Sequence, residues 1–181
     1  FLKLPGQTDS GQITQYRAIV MLGVDGTIPE DGWITQWTFI AKDIKTNGNF
    51  ADHYLGVWDE CDKVPESKAS RSRKSTYCMA EVSKISNEEI MVNKNTVQVE
   101  PIWAKKGQKL GLYIENSGKN AIPYGPHLCP DGFAQQGACV GASSLRVARN
   151  VDKNKRAIIG THWKLNFEGA ALFLQAVLEI E

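Results

Sequence analysis

Apolar residues recur at every second position through most of this chain, and that period is what most narrows the folds open to it. In Trp33-Ile34-Thr35-Gln36-Trp37-Thr38-Phe39-Ile40-Ala41, Trp33, Trp37, Phe39 and Ala41 share one face, opposed by Gln36 and Thr38. Thr96 to Trp103 sets Val97, Val99 and Trp103 against Gln98 and Glu100. Leu172, Leu174, Ala176, Leu178 and Ile180 form the cleanest stripe, with Gln175 and Glu179 between them. Side chains alternate in this way on a half-buried strand and not on a helix. By the same reading Arg17–Leu22, Tyr54–Trp58, Thr76–Val82, Glu89–Val92, Leu110–Glu115 and Thr161–Phe167 are expected strands.

Between the runs stand Asp25-Gly26, Asp31-Gly32, Asn47-Gly48, Lys106-Gly107, Ser117-Gly118, Asp131-Gly132 and Glu168-Gly169. Such pairs supply the backbone freedom that corners demand. No amphipathic helix stands out, and neither does an internal repeat or a linker. The chain of 181 residues is therefore expected to be a single domain, 1–181. Its expected fold is all-β, a two-sheet antiparallel sandwich of jelly-roll-like form with about eight or nine strands.

Four cysteines refine this picture. Cys61 and Cys78 flank a polar, basic stretch, and Cys129 and Cys139 flank a short loop rich in Gly, Pro and Gln. No pair has the C-x-x-C spacing of a zinc or redox site, so the expected outcome is two disulfides closing local loops in a secreted, extracellular protein. Cross-pairing of Cys61 with Cys129 or Cys139 stays open, since four cysteines allow three connectivities. The chain begins at Phe1 rather than Met, which fits removal of a leader and fits a fragment equally. Net charge is +1, which gives no global attraction to nucleic acid or anionic membrane. The longest apolar stretch, Ala170–Ile180, is interrupted by Gln175 and Glu179 and falls short of the roughly 20 residues of a spanning helix, so no membrane span is expected.

Three segments taken together carry a resemblance: Gly32-Trp33-Ile34-Thr35-Gln36-Trp37-Thr38-Phe39; then Val99-Glu100-Pro101-Ile102-Trp103-Ala104-Lys105-Lys106-Gly107-Gln108-Lys109-Leu110-Gly111-Leu112-Tyr113; then Phe173-Leu174-Gln175-Ala176-Val177. A strand that ends in a Lys-Gly turn and re-enters as Leu-Gly-Leu-Tyr resembles the secreted, jelly-roll-like β-sandwich domains of invertebrate and bacterial extracellular proteins. Those domains are mostly binding or matrix modules. The resemblance rests on packing residues and implies a fold and a compartment, with no catalytic motif to carry over.

Catalytic patterns are wanting. Gly141-Ala142-Ser143-Ser144 lacks the closing glycine of a nucleophile elbow, and neither an H-E-x-x-H motif nor a P-loop occurs. His53, His127 and His162 are far apart in sequence and read as ordinary polar residues. An enzyme is not expected. Asp25, Glu30 and Asp31 cluster in one loop; they could give a hard cation such as calcium oxygen ligands, or simply form a solvated acidic turn. No other cofactor is indicated. Lys68, Arg71, Arg73 and Lys74 could meet an acidic surface, or form a solvated excursion.

In Tyr54-Leu55-Gly56-Val57-Trp58 the aliphatic pair suits the core, which turns Tyr54 and Trp58 to the other face, about 13 Å apart. There they would stack on sugar rings. The reverse register, with both aromatics inside, fits the same residues. Trp33, Trp37 and Trp103 are expected in the core. Tyr124 and His127 mark a second candidate ligand pocket at a loop end. The expected function is thus an extracellular binding module for a glycan or a small apolar ligand, without catalysis. The alternative is a structural or assembly subunit that self-associates through its strand edges.

Overall fold

The computed structural model describes residues 12–13, 17–41, 52–62, 76–115, 118–119, 121–122, 139–147, 159–160 and 162–181. Among them the chain is all-β. The strands are β1 (Gln12–Ile13), β2 (Arg17–Met21), β3 (Gly32–Ala41), β4 (Asp52–Asp62), β5 (Thr76–Ile85), β6 (Asn93–Ala104), β7 (Lys109–Glu115), β8 (Gly118–Lys119), β9 (Cys139–Val147) and β10 (His162–Glu179). The only helical pieces among the described residues are single 3-10 turns at Val24–Gly26 and Asn87–Glu89, and no helix there is long and apolar enough to cross a membrane.

Every pairing is antiparallel. Four strands run in the order β5-β4-β7-β2 and three in the order β10-β3-β6. The two groups are joined because β9 pairs with both β2 and β10. At its other end β5 meets β10, with Thr76–Cys78 opposite His162–Lys164. Among the described residues the two-residue strands β1 and β8 pair only with each other.

One core lies against both groups. Ile19, Leu55, Val57, Leu112 and Ile114 from the four-strand sheet cluster with Ile34, Trp37, Phe39, Val97, Leu172 and Leu174 from the other. Alternation sends the remaining residues of β2, β4 and β7 to the opposite face. There Ala18, Val20, Trp58, Tyr77, Met79 and Tyr113 form a second buried cluster with Trp163. The four-strand sheet is therefore covered on both faces, which is why its strands read as near-continuous apolar runs. Gly111 lets this happen: a Cβ there would come within 2.9 Å of the Trp58 ring and 2.7 Å of the Ile19 carbonyl oxygen.

The β6–β7 turn is built from Lys105 to Gln108. Gln108 N–H donates to the Lys105 carbonyl at 3.1 Å, and Gly107 has φ +88°, the left-handed conformation that a type II turn needs at its third residue. The buried Gln108 amide holds the turn from both sides. Its Oε1 accepts from Lys105 N–H at 2.7 Å, and its Nε2 donates to Asp59 at 3.0 Å.

Two sequence expectations change here. The expected strand at Glu89–Val92 is instead the end of a 3-10 turn and a bend. The Asn95 side chain grips both the amide and the carbonyl of Met91, each at 2.7 Å, and Asn93 takes a positive φ of 74°. The expected strands at 161–167 and 172–180 are one strand, β10. The Glu168-Gly169 pair expected to turn the chain lies at a register shift between Glu168 and Ala170 instead, where glycine accommodates a bulge.

Candidate functional site

The outer face of β10-β3-β6 carries an aromatic pair that strict alternation would have hidden. Leu178 and Val177 are consecutive on β10, yet they pair with Ile34 and Gln36 on β3, so Thr35 is an extra residue. A bulge of this kind inverts which face the following side chains occupy. Ile34 and Trp37 both point inward and are fully buried, while Trp33 points out and is 37% exposed. On β6 the matching shift falls around Pro101, since Ile34 pairs with Ile102 but Gln36 pairs with Gln98. Proline lacks the N–H that a regular ladder would require there.

The register then fixes the neighbours. Trp33 lies between Trp103 and Glu179, Gln36 between Gln98 and Val177, and Thr38 between Thr96 and Gln175. The Trp33 and Trp103 rings meet edge-on, with centroids 5.0 Å apart and planes at 67°, which suits the quadrupoles of two aromatic rings. Trp33 Nε1–H donates to Glu181 at 3.1 Å, and the Thr35 hydroxyl donates to Glu179 at 3.3 Å. Gln98 Nε2 donates to Gln36 Oε1. Val177 beside them is 44% exposed. The result is a flat face that offers indole and Val177 surface next to carboxylate, carboxamide and hydroxyl groups. Trp33 and Trp103 were expected in the core; the bulge at Thr35 and the shift at Pro101 place them on this surface.

The aromatic pair first expected to bind sugars is elsewhere. Leu55 and Val57 do face the main core, and Tyr54 and Trp58 do take the opposite side, but that side is not open. Trp58 is fully buried, and Tyr54 is half-buried against Tyr113 with ring centroids 5.5 Å apart. Trp58 has no ring surface open to a ligand. Tyr124 and His127 lie outside the described residues, as do Cys129 and the basic stretch of Lys68, Arg71, Arg73 and Lys74.

Glu30 and Asp31 are exposed at the chain's approach to β3. An Asp31 oxygen accepts from Lys106 N–H at 2.8 Å, tying this loop to the β6–β7 turn. Asp25 lies in the 3-10 turn Val24–Gly26. Among the described residues no group of three His, Cys, Asp or Glu is placed to hold a metal ion. His53 is fully buried. Its Nε2 accepts from Ala121 N–H at 3.0 Å, and its Nδ1 lies 3.4 Å from Asn87 Oδ1. It thus pins β4 to two connecting segments. Cys61 and Cys78 form a disulfide between neighbouring strands β4 and β5, with Cα atoms 5.8 Å apart. Cys139 opens β9, opposite Phe173.

A second recess lies between β5 and β6. It encloses about 610 Å³ and is bordered by Val82–Lys84, Ser86 and Glu89 on one side and by Val97–Glu100 and Ile102 on the other. Ser83 Oγ is buried there without a hydrogen-bond partner.

Comparison of the chain with protein-family models, with curated proteins and with solved structures finds no match.

Proposed function

We propose that this chain is a secreted β-sandwich binding module, without catalysis of its own, and that the Trp33–Trp103 face takes a neutral glycan. The exposed Trp33 carries the reading. Its indole is left partly open to water beside Trp103, and an open indole face stacks well on the apolar side of a pyranose ring. The partners around it fit the rest of a sugar: Gln36, Gln98 and Thr38 offer donors and acceptors to hydroxyl groups, and Glu179 offers acceptors. With Glu179 and Glu181 bordering Trp33, a sulfated or uronic chain would meet like charge, which favours an uncharged one. The mixed lining suits a glycan better than a wholly apolar ligand.

Secretion is supported by the Cys61–Cys78 disulfide, because such bonds persist in oxidising compartments. The sandwich arrangement is supported by the single core shared between the two sheets. Its jelly-roll version draws no support from β9 and β10, which are hydrogen-bonded neighbours along most of their length.

Affinity electrophoresis against a panel of soluble neutral and sulfated polysaccharides tests the reading. Retardation by a neutral polymer, reduced at least about tenfold in affinity by Trp33→Ala at unchanged melting temperature, is the expected result. Equal binding by Trp33→Ala, or no retardation by any polymer, would sink it. Sedimentation of the same sample across concentrations discriminates the alternative of an assembly subunit, which requires self-association.

A further inference from the structure

We infer that the recess between β5 and β6 is a second binding site, and that it takes an extended peptide which docks as an added strand. The first observation is which residues form its walls. Val82, Ser83 and Lys84 are consecutive on β5, and Val97, Gln98, Val99 and Glu100 are consecutive on β6. Consecutive residues of a strand point to opposite faces, so a recess bordered by all of them runs along the strand edges rather than over a sheet face.

The second observation is that, among the described residues, both edges are unpaired along the recess. β5 and β6 are the two ends of the strand order. β10 covers only Thr76–Cys78 of the free edge of β5, and Gly160 N–H caps the Met79 carbonyl. Among the described residues no strand lies on that side from Ala80 to Ile85, and β6 pairs only with β3. Each pairing along the order from β5 to β6 is antiparallel, and their odd number leaves the two walls running in opposite directions. A chain docked antiparallel along one wall therefore runs parallel to the other. A polypeptide backbone presents N–H and C=O groups at the spacing of a β-ladder.

The third observation is Ser83. It is 8% exposed, and its hydroxyl has no hydrogen-bond partner. Ser83 pairs with Leu55, so its side chain lies on the core face of β5. A buried hydroxyl left unbonded costs on the order of 1–3 kcal/mol, a cost removed when a docked chain brings it a polar group. The lining fits alternate side chains of such a strand. Those pointing inward meet Ser83, Val97 and Val99; those pointing outward meet Lys84, Gln98 and Glu100. Glu89 and Glu100 favour a basic residue at the recess mouth. This site does not rest on the glycan reading: the two share Gln98 at their border, but Trp33 takes no part in the recess.

The test pans a phage-displayed library of random linear peptides on the full chain and measures the enriched sequences as synthetic peptides by titration calorimetry. Peptides of micromolar affinity are expected to lose about tenfold when alternate backbone amides are N-methylated. They should lose as much on Lys84→Trp, which fills the mouth from an exposed position, and keep full affinity for Trp33→Ala. Failure to enrich any peptide over the Lys84→Trp protein would overturn the inference. So would peptides indifferent to N-methylation at every position, or peptides bound by Lys84→Trp and Ser86→Trp as tightly as by the unchanged protein.

Discussion

Truncating Trp58 and truncating Trp33 to alanine test different physics. Trp58 is fully buried against Tyr113, Met79 and Val20, and Gly111 has no side chain so that the ring can lie close to the backbone of β7. Its removal leaves a cavity that the surrounding strands cannot close, and chemical denaturation should show a loss of about 3–5 kcal/mol. Trp33 loses mainly its edge-on contact with Trp103 and one exposed hydrogen bond to Glu181, so its truncation should cost less than about 1 kcal/mol. If Trp58→Ala retained the wild-type denaturation midpoint, the second cluster would not be a core, and Tyr54 and Trp58 would return as candidates for ligand contact. The same contrast shows what a sequence reveals about a tryptophan. Its spacing shows which neighbours share its face. Whether that face is covered depends on strands distant in sequence, such as the start of β10 that brings Trp163 beside Trp58.

Single strands were legible where alternation was clean, as in the second half of β3 and the last part of β10, or where an apolar, β-branched run was short and bounded, as in β2. They were not legible where small residues or bulges intervened. In β9, Gly141-Ala142-Ser143-Ser144 has no apolar stripe, yet it pairs along β10 because Ala170 and Ala171 opposite are small as well. In β10, Gly169 looks like a corner but sits in a bulge, since β9 pairs with β10 on both sides of it. In β3 a bulge decides the site. Trp33 and Trp37 are four positions apart, so strict alternation would turn both inward; because the bulge takes up Thr35, Trp33 faces outward while Ile34 and Trp37 face inward. Deleting Thr35 leaves a regular strand with those same faces, so the variant should keep polysaccharide binding and the acrylamide quenching of Trp33. A deletion variant that folds and no longer binds would show that Thr35 itself, and not only the face it sets, is needed.

The Cys61–Cys78 bond joins β4 to β5 next to the place where β5 meets β10, since Cys78 itself pairs with His162. That junction is short, covering Thr76–Cys78 only, and it links the four-strand sheet to the long strand that continues into the other sheet. A link across a sequence separation of 17 constrains the unfolded chain by about 3 kcal/mol in the chain-entropy model. In a protein of this size that corresponds to a melting temperature lowered by about 6–12 °C. Calorimetry of the oxidised protein and of a Cys61→Ser, Cys78→Ser double variant measures it without exposing the other cysteines to reductant. Amide exchange adds the local half of the argument. The amides of Thr76–Cys78 should speed up more than those of Gly111–Ile114, which are paired on both sides by β4 and β2. A uniform acceleration would mean that the bond acts only through the unfolded chain. A selective one would mean that it also holds β5 in place against β10 and so keeps the free edge beyond Met79 facing β6. That second outcome would couple the disulfide to the β5–β6 recess: oxidation would stabilise the wall on which a strand is expected to dock, and the double variant should bind the enriched peptides more weakly than the oxidised protein at temperatures where both remain folded.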